Sequence, residues 1–194
     1  MDIILASQSP RRKQLLEILE IDFKIIPSNF DENLLEYKNN PEDFCKNLAF
    51  KKAEAVSQAN YHSLTIGADT IVVLHNKILP KPKNEIEAIS FLNQLSQNTH
   101  QVYTGISLIY KNNINSFSEC TSVTFGKLSS NEIQYYVKNS NPLDKAGAYG
   151  IQDWSSIFVK KIKGCYFNVV GFPISRFYSE ILKLYPKIIE NLLV

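Results

Sequence analysis

The hydrophobic positions of this chain follow two different periods, and the changes between them separate the elements of the fold. Apolar runs rich in β-branched and aromatic residues are typical of strands, whereas apolar residues spaced three and four apart indicate helices. The strand-like segments are Asp2–Ala6, Phe23–Ile26, Ser63–Ile66, Ile71–His75, Lys77–Leu79, Gln101–Tyr110 and Ile114–Phe125. The helical segments are Pro10–Leu19, Pro41–Gln58, Asn84–Leu95 and Ser129–Lys138.

Beyond Lys138 the pattern is less regular. We expect a loop over Asn139–Gln152, a strand pair around Gly164 and a C-terminal helix. Strands and helices are mixed along the whole chain, which predicts a mixed α/β (α+β) fold whose central hairpin forms a second lobe. The chain has 194 residues and no visible linker, so we expect a single two-lobed domain over residues 1–194.

Composition places the chain among ordinary globular proteins, with 44% hydrophobic and 21% charged residues. The formal net charge of +2 is too small to attract nucleic acid or a membrane through bulk electrostatics, so any anion site must be local. Three distant cysteines without a CxxC pair argue against a disulfide framework or a zinc ribbon. Neither a signal peptide nor an apolar run of about 20 residues is visible, and we expect a cytosolic protein.

The first helix begins with two unfavourably placed cations. Ser9 suits the N-cap and Pro10 suits the first helical position. Arg11 and Arg12 then oppose the helix dipole, at roughly 0.3–1 kcal/mol each on an exposed surface. An anion bound there would reverse the sign of this effect, because free N–H groups and both guanidiniums would converge on it. The alternative is that both arginines are solvated or paired with nearby acids.

The helix after Pro41 carries a lysine within its apolar face. On a helical wheel the apolar arc consists of Phe44, Cys45, Leu48, Ala49, Ala55 and Val56. Lys52 falls near the middle of this arc, whereas Lys51 lies towards its edge and is expected to be solvated. An unpaired buried lysine is costly, so Lys52 is predicted to reach inward and face an anion. The alternative is a side chain that snorkels at the rim of the core.

Asp69 interrupts an otherwise apolar stretch that runs from Leu64 to Leu74. A carboxylate between buried strands needs a partner, a metal ion or a catalytic role. The alternative is a turn at Gly67–Asp69 in which the aspartate acts as a cap. Lys81 lies between two prolines that hold its backbone extended, and it is either another cation of the site or an ordinary surface lysine.

Several common catalytic signatures are absent. There is no GxxxxGK[ST], no GxGxxG after a strand, no HExxH and no GxSxG, and the three histidines are not clustered. The missing P-loop excludes a P-loop enzyme, and the missing zinc motif argues against a zinc hydrolase.

Seven short motifs occur in a defined order along the chain. They are SxSPRR at Ser7–Arg12, LAxxKA at Leu48–Ala53, GADT at Gly67–Thr70, KPK at Lys81–Lys83, TG at Thr104–Gly105, DKAGAYGIQ at Asp144–Gln152 and NVVGxP at Asn168–Pro173. With this set, the chain resembles the Maf family of nucleoside triphosphate pyrophosphatases over essentially its whole length. Any single motif is weak, and their shared order makes the resemblance specific.

The resemblance implies hydrolysis between the α- and β-phosphates of a nucleotide, giving a monophosphate and pyrophosphate. It implies an elongated, twisted mixed sheet with flanking helices, in two lobes around a central cleft, related to the inosine-triphosphatase (Ham1) fold. In the family the aspartate matching Asp69 accepts a proton, and positions matching Arg11, Thr70 and Gln152 set base preference. The residues here resemble the branch that acts on dTTP and UTP, and relatives suggest a homodimer.

The residues and the resemblance combine into one mechanistic hypothesis. The cations expected around the triphosphate are Arg11, Arg12, Lys52 and Lys81. A divalent ion, expected to be Mg²⁺ with Mn²⁺ or Co²⁺ as alternatives, would bridge phosphate oxygens, with Glu32 and Asp69 as oxygen ligands. Asp69 would also deprotonate the attacking water. Gln152 can donate and accept at once, which suits the edge of uracil or thymine.

Two other functions remain open at this point. One is a non-catalytic nucleotide-binding regulator of cell division that uses the same basic cleft. The other is a purine house-cleaning enzyme, acting on inosine or xanthosine triphosphate with the same chemistry. Asp69 favours an enzyme, because a pure binder of polyphosphate gains nothing from a carboxylate beside the charge it holds. Neither nucleic acid nor a membrane is expected as a partner.

Overall fold

A mixed β-sheet of seven strands runs through the molecule, of which the computed structural model describes residues 1–190. Within these residues the strands are β1 (Ile3–Leu5), β2 (Lys24–Ile25), β3 (Leu64–Leu74), β4 (Lys77–Leu79), β5 (Thr99–Tyr110), β6 (Asn113–Phe125) and β7 (Val159–Lys163). Their order is β2-β1-β3-β5-β6-β7, and β4 pairs with β3. The β1–β2 and β1–β3 pairs are parallel and the other pairs are antiparallel.

Helices flank this sheet, so the predicted mixed α/β class is confirmed. In the described part of the chain they are α1 (Pro10–Glu17), α2 (Pro41–Ser57), α3 (Glu85–Leu95), α4 (Ser130–Asn139), α5 (Tyr166–Val170), α6 (Ile174–Leu184) and α7 (Pro186–Glu190). Short 3-10 turns lie at Glu32–Leu34, Pro142–Asp144, Ala146–Ala148 and Trp154–Phe158. The single domain over residues 1–194 stays a prediction, and its last four residues lie outside the described chain.

The predicted helix starts are confirmed by their side-chain caps. Ser9, Asn40, Asn84 and Ser129 each accept a hydrogen bond from the backbone N–H three residues later. At Ser129 the bond is reciprocated by Glu132, which forms a capping box. These helices therefore begin where local sequence chemistry places them.

Strand β3 differs from its prediction, which had two strands separated at Gly67–Thr70. It is continuous, and each residue from Thr65 to Val73 pairs with β5, so the turn interpretation of Asp69 is wrong. The carboxylate is tolerated within the strand because it contacts the ammonium of Lys52 on α2. A partner distant in sequence thus removes the reason for a break.

The predicted strand pair around Gly164 is also wrong. Only its first arm exists, as β7, which pairs with β6. Gly164 has φ +128°, and the chain then turns into α5. Thr121 stabilises this turn, since its hydroxyl bonds both the N–H and the carbonyl of Cys165 at 3.0 Å.

One face of β3 contributes to two hydrophobic cores. Leu64 and Ile66 pack in a cluster with residues of α1, α5 and α6. Val72 and Leu74 belong to a second cluster, formed with α3 and α4. Side chains alternate along a strand, so Thr70 lies on this same face between the two cores.

Helix α2 covers the opposite face of β3 and β5 at short range. A Cβ at Gly67 would lie 2.0 Å from the carbonyl oxygen of Ala49, and one at Gly105 would lie 2.2 Å from that of Cys45. These two glycines therefore allow the helix backbone to rest directly on the sheet. The close packing brings the second half of α2, including Lys52, against the middle of β3.

Candidate active site

A cleft of about 820 Å³ opens where the outer edge of β3 lacks a strand neighbour in the described chain. Strand β1 pairs with β3 as far as Ile66, and β4 pairs with it from Val72 onward. The gap between them exposes both faces of β3 to the cleft. The cleft lining includes every residue predicted for the site, namely Arg11, Arg12, Glu32, Lys52, Asp69, Thr70, Lys81 and Gln152.

Two carboxylates share one ammonium on the α2 face of β3. The Nζ of Lys52 lies 2.7 Å from Oε1 of Glu32 and also contacts Oδ1 of Asp69. The side chains of Lys52 and Asp69 are only 13% and 9% exposed, whereas that of Glu32 is 49% exposed. The predicted inward orientation of Lys52 is therefore confirmed. Lys51 points outward and pairs with Glu54, at 2.7 Å.

The pKa values of the two carboxylates shift in opposite directions because the groups differ in burial and in their nearby charges. Burial raises the pKa of Asp69 above its ordinary value, although the nearby Lys52 and Arg12 oppose this shift. Burial also acts on Glu32, but there Lys52, Lys81 and Arg12 outweigh it and lower the pKa. Two acids with separated pKa values on one ammonium are typical of a site that moves protons.

Arg12 reaches the Thr70 face of β3 and is held by neutral groups. Its Nε donates to the carbonyl oxygen of Gly171 at 3.1 Å, its Nη1 to the hydroxyl of Ser7 at 3.2 Å, and its Nη2 to the hydroxyl of Thr70 at 3.1 Å. In the described part of the chain it is neither freely solvated nor paired with an acid, so that alternative is wrong for Arg12. Within residues 1–190 no carboxylate forms an ion pair with this guanidinium, although Asp69 and Glu32 are close enough to interact with its charge.

Arg11 behaves differently from its neighbour. Its Nη1 lies 3.5 Å from Oδ2 of Asp144, and the two side chains are 29% and 47% exposed. The alternative of pairing with a nearby acid thus describes Arg11 correctly. An exposed pair of this kind contributes roughly 0–1 kcal/mol, so an anionic ligand can replace the aspartate at little cost.

The remaining predicted residues lie on loops at the rim. Lys81 is exposed, and the carbonyl oxygen of the preceding Pro80 accepts a hydrogen bond from the N–H of Gly147 at 3.1 Å. Gln152 is exposed at the end of the loop that contains Gly147. Lys145 holds this loop, with its Nζ 2.9 Å from Asp144 Oδ1 and 3.5 Å from an oxygen of Asp153.

Four residues that contact the site had no role in the sequence interpretation. Ser7 and Gly171 bind Arg12, and Thr104 and Asn168 lie behind Thr70. All four belong to the ordered motifs, and three of them are buried polar side chains. Polar residues within apolar segments were the available signal, but their partners are distant in sequence.

The carboxylates of the cleft fit a metal ion that takes most of its ligands from elsewhere. Within residues 1–190 no group of three or more His, Cys, Asp or Glu side chains is placed to hold a metal. Mg²⁺ commonly binds through one or two carboxylates and completes its shell with phosphate and water oxygens. Glu32 and Asp69, which meet at the ammonium of Lys52, match that limited requirement.

Comparison with known proteins identifies the family. The Maf family, described as Maf-like protein, matches residues 2–184. The chain belongs to the Maf family. A dTTP/UTP pyrophosphatase of Clostridium perfringens is 46% identical over 93% of this chain and 96% of the relative. For the dTTP/UTP pyrophosphatase of Geobacillus sp. the identity is 49%, over 94% and 97% of the two chains.

More distant similarity to solved structures accompanies this Maf assignment. The Staphylococcus aureus Ham1 protein gives a TM-score of 0.46 at 18% identity, over 64% of this chain and 72% of that protein. A HAM1 protein from Coxiella burnetii gives 0.43 at 16% identity, over 66% and 74%. In the described residues of this Maf protein, no helix has the length and apolarity needed to cross a membrane.

Proposed function

We propose that this chain is a nucleoside triphosphate pyrophosphatase that hydrolyses dTTP and UTP between the α- and β-phosphates, giving the monophosphate and pyrophosphate. One observation carries the proposal: the buried carboxylate of Asp69 contacts Lys52 in a cleft that Arg12 and Lys81 also line. The activity named for these relatives, at 46–49% identity over nearly the whole chain, supports the same activity here.

The cations of the cleft suit a triphosphate, which carries about four negative charges and strong acceptor oxygens. Arg12 is fixed in place by neutral hydrogen bonds, so its charge remains available. Arg11 exchanges Asp144 for phosphate, and Lys81 approaches from the rim. The N-terminal N–H groups of α1 add a favourable dipole. Together these groups stabilise the negative charge on the departing pyrophosphate.

Asp69 is the proposed general base. A water molecule loses its proton to the carboxylate, its oxygen bonds to the α-phosphorus, and the bond from that phosphorus to the bridging oxygen breaks. The pyrophosphate leaves with the electron pair of that bond. In the resting site Lys52 contacts Asp69. Phosphate oxygens would draw the ammonium away, and the carboxylate, whose pKa burial already raises, is then free to accept the proton.

Glu32 and Asp69 are the proposed ligands of a divalent cation, which we propose to be Mg²⁺. When bound, such an ion polarises phosphate oxygens and neutralises part of their charge. The protein residues supply two carboxylates and keep Lys52 between them in the resting site. Chelation with EDTA is expected to abolish turnover, and added Mg²⁺ is expected to restore it.

We assign recognition of the nucleobase to the rim of the cleft. Gln152 is exposed there, at the end of the loop held by Lys145. Its side-chain amide can donate to a carbonyl and accept from an N–H, and uracil and thymine offer both on one edge. This complementarity supports pyrimidine nucleotides as substrates.

The direct test is pyrophosphate release from UTP and Mg²⁺, measured for wild type, Asp69→Asn and a matched control, Asp2→Asn. Asp2 is a surface carboxylate that pairs with Lys24 at 2.9 Å, far from the chemistry. We expect release by wild type and Asp2→Asn but not by Asp69→Asn. Binding of UTP without release by wild type would favour a regulator, and turnover confined to inosine or xanthosine triphosphate would favour the purine enzyme.

Assembly and location follow as further parts of this proposal. We propose a homodimer, which family resemblance suggests, and a reducing cytosolic setting, which fits cysteines that form no disulfide in the described chain. Light scattering after size-exclusion chromatography tests the first. A mass equal to the 22.1 kDa of one chain would contradict it.

A further inference from the structure

Thr70 lines the cleft and begins a row of hydrogen-bonding groups that runs from there into the core. Its Oγ1 lies 3.1 Å from Nη2 of Arg12 and 3.0 Å from Oγ1 of Thr104. Oγ1 of Thr104 in turn lies 3.0 Å from the backbone carbonyl oxygen of Asn168. Thr104 and Asn168 are fully buried.

Only one polarity turns all three of these contacts into hydrogen bonds. The carbonyl of Asn168 can only accept, so the single hydroxyl hydrogen of Thr104 must point to it. Thr104 therefore accepts from Thr70, whose own hydrogen is then used. Thr70 in turn accepts from Arg12, a group that can only donate. The hydrogen bonds thus run in one direction, from the guanidinium to the Asn168 carbonyl.

The far end of this row is anchored in the sheet. The Nδ2 of Asn168 donates to the carbonyl oxygen of Val102 at 2.9 Å and to Oγ1 of Thr121 at 3.0 Å. Val102 lies on β5 and Thr121 on β6, so the acceptor carbonyl is fixed to two central strands. A row with a fixed end and a defined polarity can orient the charged group at its other end.

We propose that Thr104 is a positioning residue that fixes the guanidinium of Arg12 in the cleft by orienting the hydroxyl of Thr70. It follows that Thr70 influences the substrate through Arg12. Its only hydrogen is directed to Thr104 at 3.0 Å, with the carbonyl oxygen of Gly171 at 3.5 Å as a longer alternative acceptor, so neither arrangement leaves a hydrogen for a carbonyl of the nucleobase. The inference rests on the proposed function, because it assigns Arg12 to the triphosphate.

The expected effect is a loss of kcat/KM for UTP when the Thr104 hydroxyl is removed. Thr104→Val keeps the shape but ends the row, and the loss of a neutral hydrogen bond corresponds to a change of up to about tenfold. Thr104→Ser keeps the hydroxyl and should stay within about threefold of wild type. Thr65→Val is the matched control, since Thr65 is also fully buried on the sheet but its hydroxyl has no hydrogen-bond partner among residues 1–190. It should leave kcat/KM unchanged.

A double-mutant cycle with Arg12→Lys separates positioning from packing. Lysine keeps the charge but cannot reproduce the three-way contact of the guanidinium. If Thr104 acts through Arg12, then Thr104→Val should add little to the defect of Arg12→Lys. Fully additive losses, or an equal defect in Thr104→Ser, would overturn the inference. If Thr104→Val does not fold, Thr70→Val takes its place in the cycle with the same expectation.

The cycle is measured twice, by turnover of UTP and by the dissociation constant of α,β-imido-UTP, which cannot be hydrolysed. If wild type binds the analogue but releases no pyrophosphate from UTP, the proposed function fails while the binding cycle still tests the inference. Coupling between Thr104 and Arg12 in binding would support it. Independent effects in both measurements would overturn it, whatever the activity of the wild type.

Discussion

Two neighbouring residues of β3 have very different surroundings. Asp69 faces α2, where its carboxylate shares an ammonium with the exposed Glu32. Thr70 faces the opposite side, where neutral groups hold Arg12. The first setting is an ion cluster that an anionic ligand can rearrange, whereas the second is a fixed row of hydrogen bonds.

This difference indicates how one strand would serve both chemistry and binding in the proposed reaction. A general base must change its protonation state, and a cluster of charges with separated pKa values permits that change. A cation that receives a phosphate works best when its position is set beforehand, because no reorganisation is then needed. The strand alternation places these two requirements on opposite faces, one residue apart.

The largest expected effect comes from removing the carboxylate on the α2 face. Asp69→Asn keeps the size of the side chain but cannot accept a proton, so kcat for UTP should fall by about 10³-fold. Binding of α,β-imido-UTP should persist, because the cations remain. Steady-state kinetics and calorimetry measure the two quantities. Retained turnover in this variant would contradict the proposal that Asp69 is the general base.

The next effect comes from removing the shared ammonium. Lys52→Met leaves the buried Asp69 without its main counter-ion, so the pKa of Asp69 should rise further. Turnover requires the ionised form, so the acidic limb of the pH–rate profile should move to higher pH. In addition, kcat/KM should fall by about 100-fold, because a cation proposed to bind phosphate is lost.

The same variant should lose stability in a pH-dependent way. Above the raised pKa, Asp69 is ionised without a partner, and the loss should approach about 3 kcal/mol. Below it the carboxyl is protonated and needs no counter-ion, so the loss should shrink. Urea unfolding across pH measures this trend. Lys51→Met is the control and should change little, since the pair that Lys51 forms with Glu54 is exposed. A loss independent of pH would contradict the assigned ionisation.

A smaller effect should follow from moving α2 away from the sheet. In Gly67→Ala the new Cβ would lie 2.0 Å from the carbonyl oxygen of Ala49, so the helix must shift. We expect a stability loss of about 1–3 kcal/mol and about a tenfold loss of kcat, because Lys52 moves with the helix. Thermal unfolding and UTP turnover measure both changes. Gly126→Ala meets nothing closer than 3.9 Å and should behave as wild type. Unchanged kinetics in Gly67→Ala would contradict the claim that catalysis depends on the position of α2.

The smallest effect concerns recognition of the nucleobase. Gln152→Ala should reduce the preference for UTP and dTTP over other nucleotides by a few-fold, about 1 kcal/mol, because one side-chain hydrogen-bond pair is lost at an exposed rim. A nucleotide panel measures the ratio of kcat/KM values. An unchanged ratio would place the base elsewhere in the cleft.

Local rules were sufficient for much of the fold. The caps at Ser9, Asn40, Asn84 and Ser129 lie where their sequences predict, because capping depends on neighbouring residues alone. The candidate site was visible as charges within apolar patterns. Lys52 and Asp69 each interrupt an apolar face, and burial of an unpaired charge is costly enough to require an explanation.

Features that depend on distant partners were not predictable from local pattern. The turn interpretation of Asp69 failed because Lys52, on another element, neutralises it. Arg11 and Arg12 are adjacent in sequence, yet one binds Asp144 and the other binds Gly171, both more than a hundred residues away. The strand expected after Gly164 became a helix because Thr121 holds the intervening turn.

The most direct test of the account is hydrolysis of UTP in oxygen-18 water, with the products examined by mass spectrometry. If water deprotonated by Asp69 attacks the α-phosphorus, the label should appear in UMP for wild type, with unlabelled pyrophosphate, and Asp69→Asn should give neither product at a comparable rate. Label in pyrophosphate, products of UDP and phosphate, or equal labelling of UMP by the Asp69→Asn variant would contradict the account.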